Sequence, residues 1–103
     1  MYASYRDIET RVLMWGDARK ITKNGTALGQ AKKTVEEATE LLDAVLTNKR
    51  EEAIDAIGDV LVTLVMVGAL LDVDVVQCFA HAYEQIKDRR GYLNEQGIFV
   101  KEA

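Results

Sequence analysis

Glu51-Glu52-Ala53-Ile54-Asp55-Ala56-Ile57-Gly58-Asp59-Val60-Leu61-Val62-Thr63-Leu64-Val65-Met66-Val67-Gly68-Ala69-Leu70-Leu71 is the stretch that decides the fold. From Val60 to Val67 it is apolar nearly all round. A helix without a polar face has to be central to its domain. The β-branched residues would also suit a strand, but the length of the segment and the lack of a break before Gly68 favour helix. Its first half is different. Glu52, Asp55 and Asp59 follow spacings of three and four and therefore share one stripe, which Thr63 and Met66 continue. Asp59 stands at the head of the apolar run, so burial is expected of it. An unpaired buried carboxylate is costly. Asp59 thus needs a partner, either a lysine or arginine of the last helix or a hard cation held by oxygen ligands.

Working outward, four helices are expected. The first covers residues 4–20, with Ser4 as its cap and Ile8, Val12 and Trp15 as its apolar face. Residues 23–26 (Lys-Asn-Gly-Thr) read as a turn. The second covers 27–46, and Ala31, Val35, Ala38, Leu42 and Val45 define its apolar face. The loop at 47–50 is short, which implies an antiparallel neighbour. The third helix is 51–71, and Asp72-Val73-Asp74 makes a turn and a cap. The fourth covers 75–90, stopped by Gly91, with Lys87, Arg89 and Arg90 in its last turn where they favour the helix dipole. The tail holds a small hairpin or hook around Asn94-Glu95-Gln96-Gly97. The expected architecture is an all-α, four-helix-bundle-like single domain spanning residues 1–103.

Composition sets the limits of this reading. A chain of 103 residues suits one domain, and 49% hydrophobic residues supply a core. A domain so small buries a modest fraction of its surface, so self-association is expected to add burial. There is no proline to interrupt a helix. The net charge of -4 argues against binding a nucleic-acid polymer. The N-terminal residues lack the apolar core of a leader. The most apolar run, 60–71, falls short of the ~20 residues needed to span a bilayer. Cys78 is the only cysteine, so no internal disulfide forms and a reducing, cytoplasmic setting fits. Cys78 is expected to be inert core. His81, among Phe79, Ala80, Ala82 and Tyr83, reads as a packing or interface residue.

The second helix carries Glu36-Glu37-Ala38-Thr39-Glu40. Residues three apart are neighbours on a helix, so Glu37 and Glu40 can aim two carboxylates at one point. Lys33 shares their shoulder of the helix. Such a run alone is usually a solvated face. Two acidic stripes on helices joined by a tight loop, one of them reaching the core, make a metal site the stronger reading. A di-iron bundle needs Glu-x-x-His pairs, and this chain has one histidine and no such pair. Oxygen ligands without His or Cys point to magnesium, with manganese as an alternative. Magnesium is commonly completed by substrate phosphates.

Glu36-Glu37-Ala38-Thr39-Glu40, a spacer, and Ile57-Gly58-Asp59-Val60-Leu61-Val62 together resemble the EExxE…ExxD signature of the MazG-like all-α nucleoside triphosphate pyrophosphohydrolases. That group includes MazG, the dimeric dUTPases and phosphoribosyl-ATP pyrophosphohydrolase. The stretch from Trp15 to Gln30, and Ile86-Lys87-Asp88-Arg89-Arg90-Gly91 with the residues that follow, resemble small phage-type MazG-like proteins. The resemblance implies that Glu37, Glu40 and Asp59 are metal ligands. It also implies attack of a metal-activated water on the α-phosphorus of a nucleoside triphosphate, with pyrophosphate leaving. One position departs: the pattern asks for glutamate at residue 56, where this chain has Ala56. Asp55 and Glu52 lie on the same stripe and could substitute.

Glu36 or Glu37 could act as base or orient the water. Glu37 is preferred as ligand and Glu36 as helper. Lys33, Lys87 and Arg90 are candidates for phosphate contacts. Trp15 and Gln30 are candidates for a base pocket, although a lone tryptophan on an apolar face is as readily core. The family implies a homodimer or homotetramer, and a neighbouring subunit could cover the base. The alternatives are a dUTPase or phosphoribosyl-ATP hydrolase relative, or a non-enzymatic helical module that binds a nucleotide or a protein partner.

Overall fold

A computed structural model describes residues 4–102; residues 1–3, part of the stretch expected to lack an apolar leader, and residue 103 lie outside it. The elements in order are α1 (Tyr5–Ala18), α2 (Ile21–Asn24), α3 (Ala27–Leu46), α4 (Arg50–Leu71), α5 (Val75–Ile86), β1 (Gly91–Leu93) and β2 (Phe99–Lys101). The all-α reading holds, with a minimal hairpin appended. Three of the caps are side-chain oxygens that satisfy amides left free at a helix start. Ser4 accepts from the Asp7 amide, Thr26 from Gly29 and Asp74 from Gln77.

Two boundaries differ from expectation. The segment before α3 is not a plain turn. Lys20 adopts a left-handed conformation and starts the one-turn α2, steadied by a hydrogen bond from the Thr22 hydroxyl to Asp17. At the other end, α5 stops at Ile86, four residues before the expected end. Gly91 is the first residue of β1 instead of the helix stop, and a Cβ there would strike the Val100 carbonyl oxygen. No basic residue therefore lies in the last turn of α5. β1 and β2 pair antiparallel, Gly91 opposite Lys101 and Leu93 opposite Phe99. Asn94 closes the turn, its side-chain oxygen accepting from the amides of Gln96 and Ile98. Gly97 supplies a φ of +76°.

α4 is central, as its composition requires: it packs on α3 most extensively, and also on α1, α2 and α5. By length and composition alone it could cross a membrane. The apposition of four helices is what a core helix shows. Its contact with α1 is close. A Cβ on Gly16 would lie 2.5 Å from the Met66 sulfur, and Met66 is 1% exposed. Burying a side chain of that size is worth roughly 1.5–3 kcal/mol.

The faces that point inward are not the most apolar ones. On α1 the buried residues are Glu9 and Gly16, with Val12 and Leu13 half-buried, while Ile8 and Trp15 are exposed. On α3 the inward stripe is Ala27, Gln30, Thr34, Glu37, Leu41 and Ala44, spaced alternately by three and four. The expected face is turned outward: Val35 is 67% exposed, Leu42 57% and Val45 60%. The cause is α4, which packs against the flank of α3 that carries the small and polar residues. The Thr34 hydroxyl reaches that of Thr63 at 2.8 Å, and Thr63 in turn donates to the Val60 carbonyl.

Candidate active site

The inward stripe of α3 carries Glu37 into the hairpin between α3 and α4. Glu37 is 8% exposed, and its Oε2 is buried with no hydrogen-bond partner among the described residues. Its Oε1 lies 3.4 Å from the Lys33 ammonium, which also holds Glu36 at 3.2 Å. Glu36, Glu37 and Glu40 each bring a carboxylate oxygen within 4.8 Å of the other two. The helix enforces this, since three- and four-residue spacings stack side chains on one face. The crowding has an electrostatic signature. Glu37, through a hydrogen bond and then its charge, pushes the Glu40 carboxyl above its ordinary range. Glu36 and then Glu37 hold Lys33 protonated more firmly than usual.

An orphaned buried carboxylate oxygen beside two further carboxylates is a polar arrangement that a hard cation would complete. The donor set, all oxygen, fits magnesium or manganese.

Two clefts meet at this cluster. One, about 640 Å³, is lined by Trp15, Asn24, Gly25, Thr26, Gln30, Lys33, Glu37, Asp59, Thr63 and Met66, among others. The other, about 630 Å³, holds Glu40, Asp43, Lys49, Glu52, Asp55 and Asp59 around the buried alanines Ala44 and Ala56. Asp59 borders both. The structure thus gathers Trp15, Gln30, Lys33, Glu37 and Asp59 in one cleft and Glu40, Glu52, Asp55 and Asp59 in the next. Glu36 joins at the cluster itself.

Several expectations are corrected. Asp59 is exposed and makes no ion pair among the described residues, so burial does not force a partner on it. The buried carboxylates are Glu37 and Glu9. Glu9 pairs with Arg6 at 2.7 Å, and Arg6 bridges on to Asp74 at 2.9 Å. Lys87 and Arg90 line neither cleft. Lys87 pairs with Glu84 at 2.7 Å, and Arg90 borders a separate open depression with Arg89 and Lys101. Cys78 is exposed and not core. His81 is exposed and hydrogen-bonded to Gln85 at 3.1 Å, which removes the packing reading but not the interface one. Trp15 is not core either; Arg19 lies over its ring at 5.0 Å.

Two participants escaped the sequence reading. Asp43 was signalled by its place three residues after Glu40. Lys49 sits in the loop and carried no signal.

Residues 17–85 match the family model described as phosphoribosyl-ATP pyrophosphohydrolase. The chain belongs to that family. The pyrophosphohydrolase fold and the MazG-like resemblance agree with this membership. The matched stretch includes every carboxylate of the two clefts, with Gln30 and Lys33, and stops short of Trp15 on one side and of Lys87 and Arg90 on the other. No curated protein and no solved structure matches the chain.

Proposed function

We propose that this pyrophosphohydrolase converts a ribo- or deoxynucleoside triphosphate and water into the monophosphate and pyrophosphate, with magnesium or manganese as cofactor. The observation that carries the reading is the buried, unpartnered Oε2 of Glu37 beside Glu36 and Glu40, opening on the cleft that also holds Lys33, Gln30 and Trp15. Glu37 and Glu40 would hold the cation, with Asp59 facing them from α4; Asp55 and Glu52 remain the substitutes for the glutamate that Ala56 lacks. A divalent cation bound there would neutralise the phosphates and lower the pKa of a bound water.

The residues divide the remaining work. Glu36, exposed and held by Lys33, is placed to take the proton of the attacking water. Lys33, beside Glu36 and Glu37, would contact a phosphate oxygen. Trp15 offers a face for stacking and Gln30 an amide for hydrogen bonding to the base. Lys87 and Arg90 are further phosphate-binding groups, brought from outside the clefts. The outward apolar stripes of α3 and α4 are the surface on which the chain forms a homodimer or homotetramer.

The family match favours a second substrate, phosphoribosyl-ATP, which presents the same triphosphate to the same carboxylates. Pyrophosphate release from a panel of ribo- and deoxynucleoside triphosphates and phosphoribosyl-ATP, with magnesium, manganese or EDTA, decides between them. The highest kcat/KM names the substrate. The proposal requires release with metal and none with EDTA. Nucleotide binding without release from any member of the panel would replace it with the non-enzymatic binding module.

A further inference from the structure

Glu37 comes from α3 and Asp59 from α4, and both line one cleft. A single ion can use both helices only while they keep their register. Little of a directional kind holds that register. The two helices pack together extensively. Yet among the described residues no ion pair joins them and one side-chain hydrogen bond does, between the Thr34 and Thr63 hydroxyls at 2.8 Å. Toward the loop the inward residues are Leu41 and Ala44 on α3 and Ala56 on α4, apolar groups whose attraction has no preferred direction.

The pair stands one turn from the carboxylates on each helix. Thr34 precedes Glu37 by three residues and Thr63 follows Asp59 by four, and a turn takes about 3.6 residues. Thr63 is 6% exposed and lines the cleft; Thr34 is half-buried. Both hydroxyls also reach the backbone, Thr34 the Gln30 carbonyl at 3.0 Å and Thr63 the Val60 carbonyl at 2.7 Å. Three contacts therefore share two hydrogens. When Thr63 donates to Val60, Thr34 donates to Thr63. When Thr34 donates to Gln30, Thr63 donates to Thr34. Both arrangements keep a hydrogen between the helices. The remaining one would set bare lone pairs face to face.

Stability does not ask for this pair. Two valines would fill the same space with no polar group to satisfy, and removing both partners of a hydrogen bond in favour of apolar groups of the same shape is nearly neutral or stabilising. A directional bond is useful where placement matters more than adhesion. Magnesium makes that demand, since it takes near-octahedral oxygens at about 2.0–2.1 Å, whereas calcium accepts a looser set at about 2.3–2.6 Å.

We infer that Thr34 and Thr63 are positioning residues: their hydrogen bond fixes α4 against α3 so that Asp59 meets the Glu37 cluster at the spacing magnesium requires. They act through the carboxylates. This rests on the metal-dependent pyrophosphohydrolase reading.

Thr34→Val tests it, because it breaks the bond while Thr63 still donates to the Val60 carbonyl. The Thr34→Val/Thr63→Val double variant repeats the test with both hydroxyls gone, and Thr34→Ser restores the hydroxyl. Melting in EDTA is expected to place all three close to the wild type. Calorimetric titration with magnesium or calcium alone, without nucleotide, then reads the site. The valine variants are expected to bind magnesium roughly 10- to 100-fold more weakly, as loss of a group that orients metal ligands does. Their calcium affinity should change far less, and Thr34→Ser should bind both ions as the wild type does. A folded Thr34→Val chain that keeps wild-type magnesium affinity, or loses magnesium and calcium equally, overturns the inference; pyrophosphate release by the wild type then leaves the activity standing. Valine variants that are unfolded in EDTA overturn it too, by showing that the pair serves adhesion. A wild type that binds magnesium but releases no pyrophosphate refutes the activity, and the same titrations still judge the pair. A wild type that binds neither ion overturns the inference together with the metal site.

Discussion

Glu37 holds one oxygen against Lys33 and leaves the other buried without a partner among the described residues. An unpaired buried acceptor costs about 1–3 kcal/mol. Glu37→Gln should therefore leave the metal-free protein at least as heat-stable as the wild type, since it removes a charge from a crowded trio. It should also abolish the rise in Tm expected of the wild type in magnesium and lower turnover by more than about 100-fold. A thermal shift in EDTA and in magnesium reads the first two effects. A Glu37→Gln variant that still gains Tm from magnesium would remove Glu37 from the ligand set. At this scale the sequence was half legible. It named every carboxylate of the Glu36-Glu37-Glu40 cluster, because their spacing is a property of the helix alone. It assigned burial to Asp59, because its sequence neighbours are apolar. Burial is set by what packs on a residue from elsewhere, and the hairpin gives that position to Glu37.

Among the elements, the link from α1 to α5 is electrostatic where the apolar contact is thin. Arg6 hydrogen-bonds Asp74 and holds its carboxyl below its ordinary 3.8, helped by the Gln77 amide that Asp74 caps. A carboxylate whose folded pKa is depressed adds stability that is present above 3.8 and is lost as pH falls through the lower folded value. Arg6→Ala should flatten the fall of Tm between about pH 5 and about pH 2, and high salt should weaken the wild-type dependence because the pair is exposed. An unchanged pH profile would show that the cap alone supports Asp74. Helix positions were legible to within a few residues, from caps and turn residues such as Ser4, Thr26 and Asp74. Helix faces were not. Periodicity selects the most hydrophobic stripe, and on α3 that is Val35, Leu42 and Val45. Nothing in a single helix says whether such a stripe serves the fold or a neighbour.

For the molecule as a whole, only Ala44, Ala56, Val65 and Met66 are fully buried apolar side chains among the described residues. With so small a core, the proposed self-association would supply part of the stability. The Tm of the wild type should rise with protein concentration, as mass action requires when folding and assembly are linked. Leu42→Glu or Leu61→Glu, each placing a charge on an outward stripe, should give a monomer by analytical ultracentrifugation with a lower Tm that no longer depends on concentration. Wild-type protein that sediments as a monomer at all concentrations would refute self-assembly.

The polar inward stripe of α3 has a last consequence, for the way such a sequence can drift. Gln30, Thr34 and Glu37 face the hairpin contact, and Gln30 and Glu37 also line the cleft. Replacing them with aliphatic residues would tighten the hairpin and erase the chemistry in one step. Variants selected for heat resistance alone should therefore accumulate changes at these positions and lose turnover together with them, whereas selection for turnover should freeze them and leave Val35, Leu42 and Val45 free to exchange one aliphatic for another.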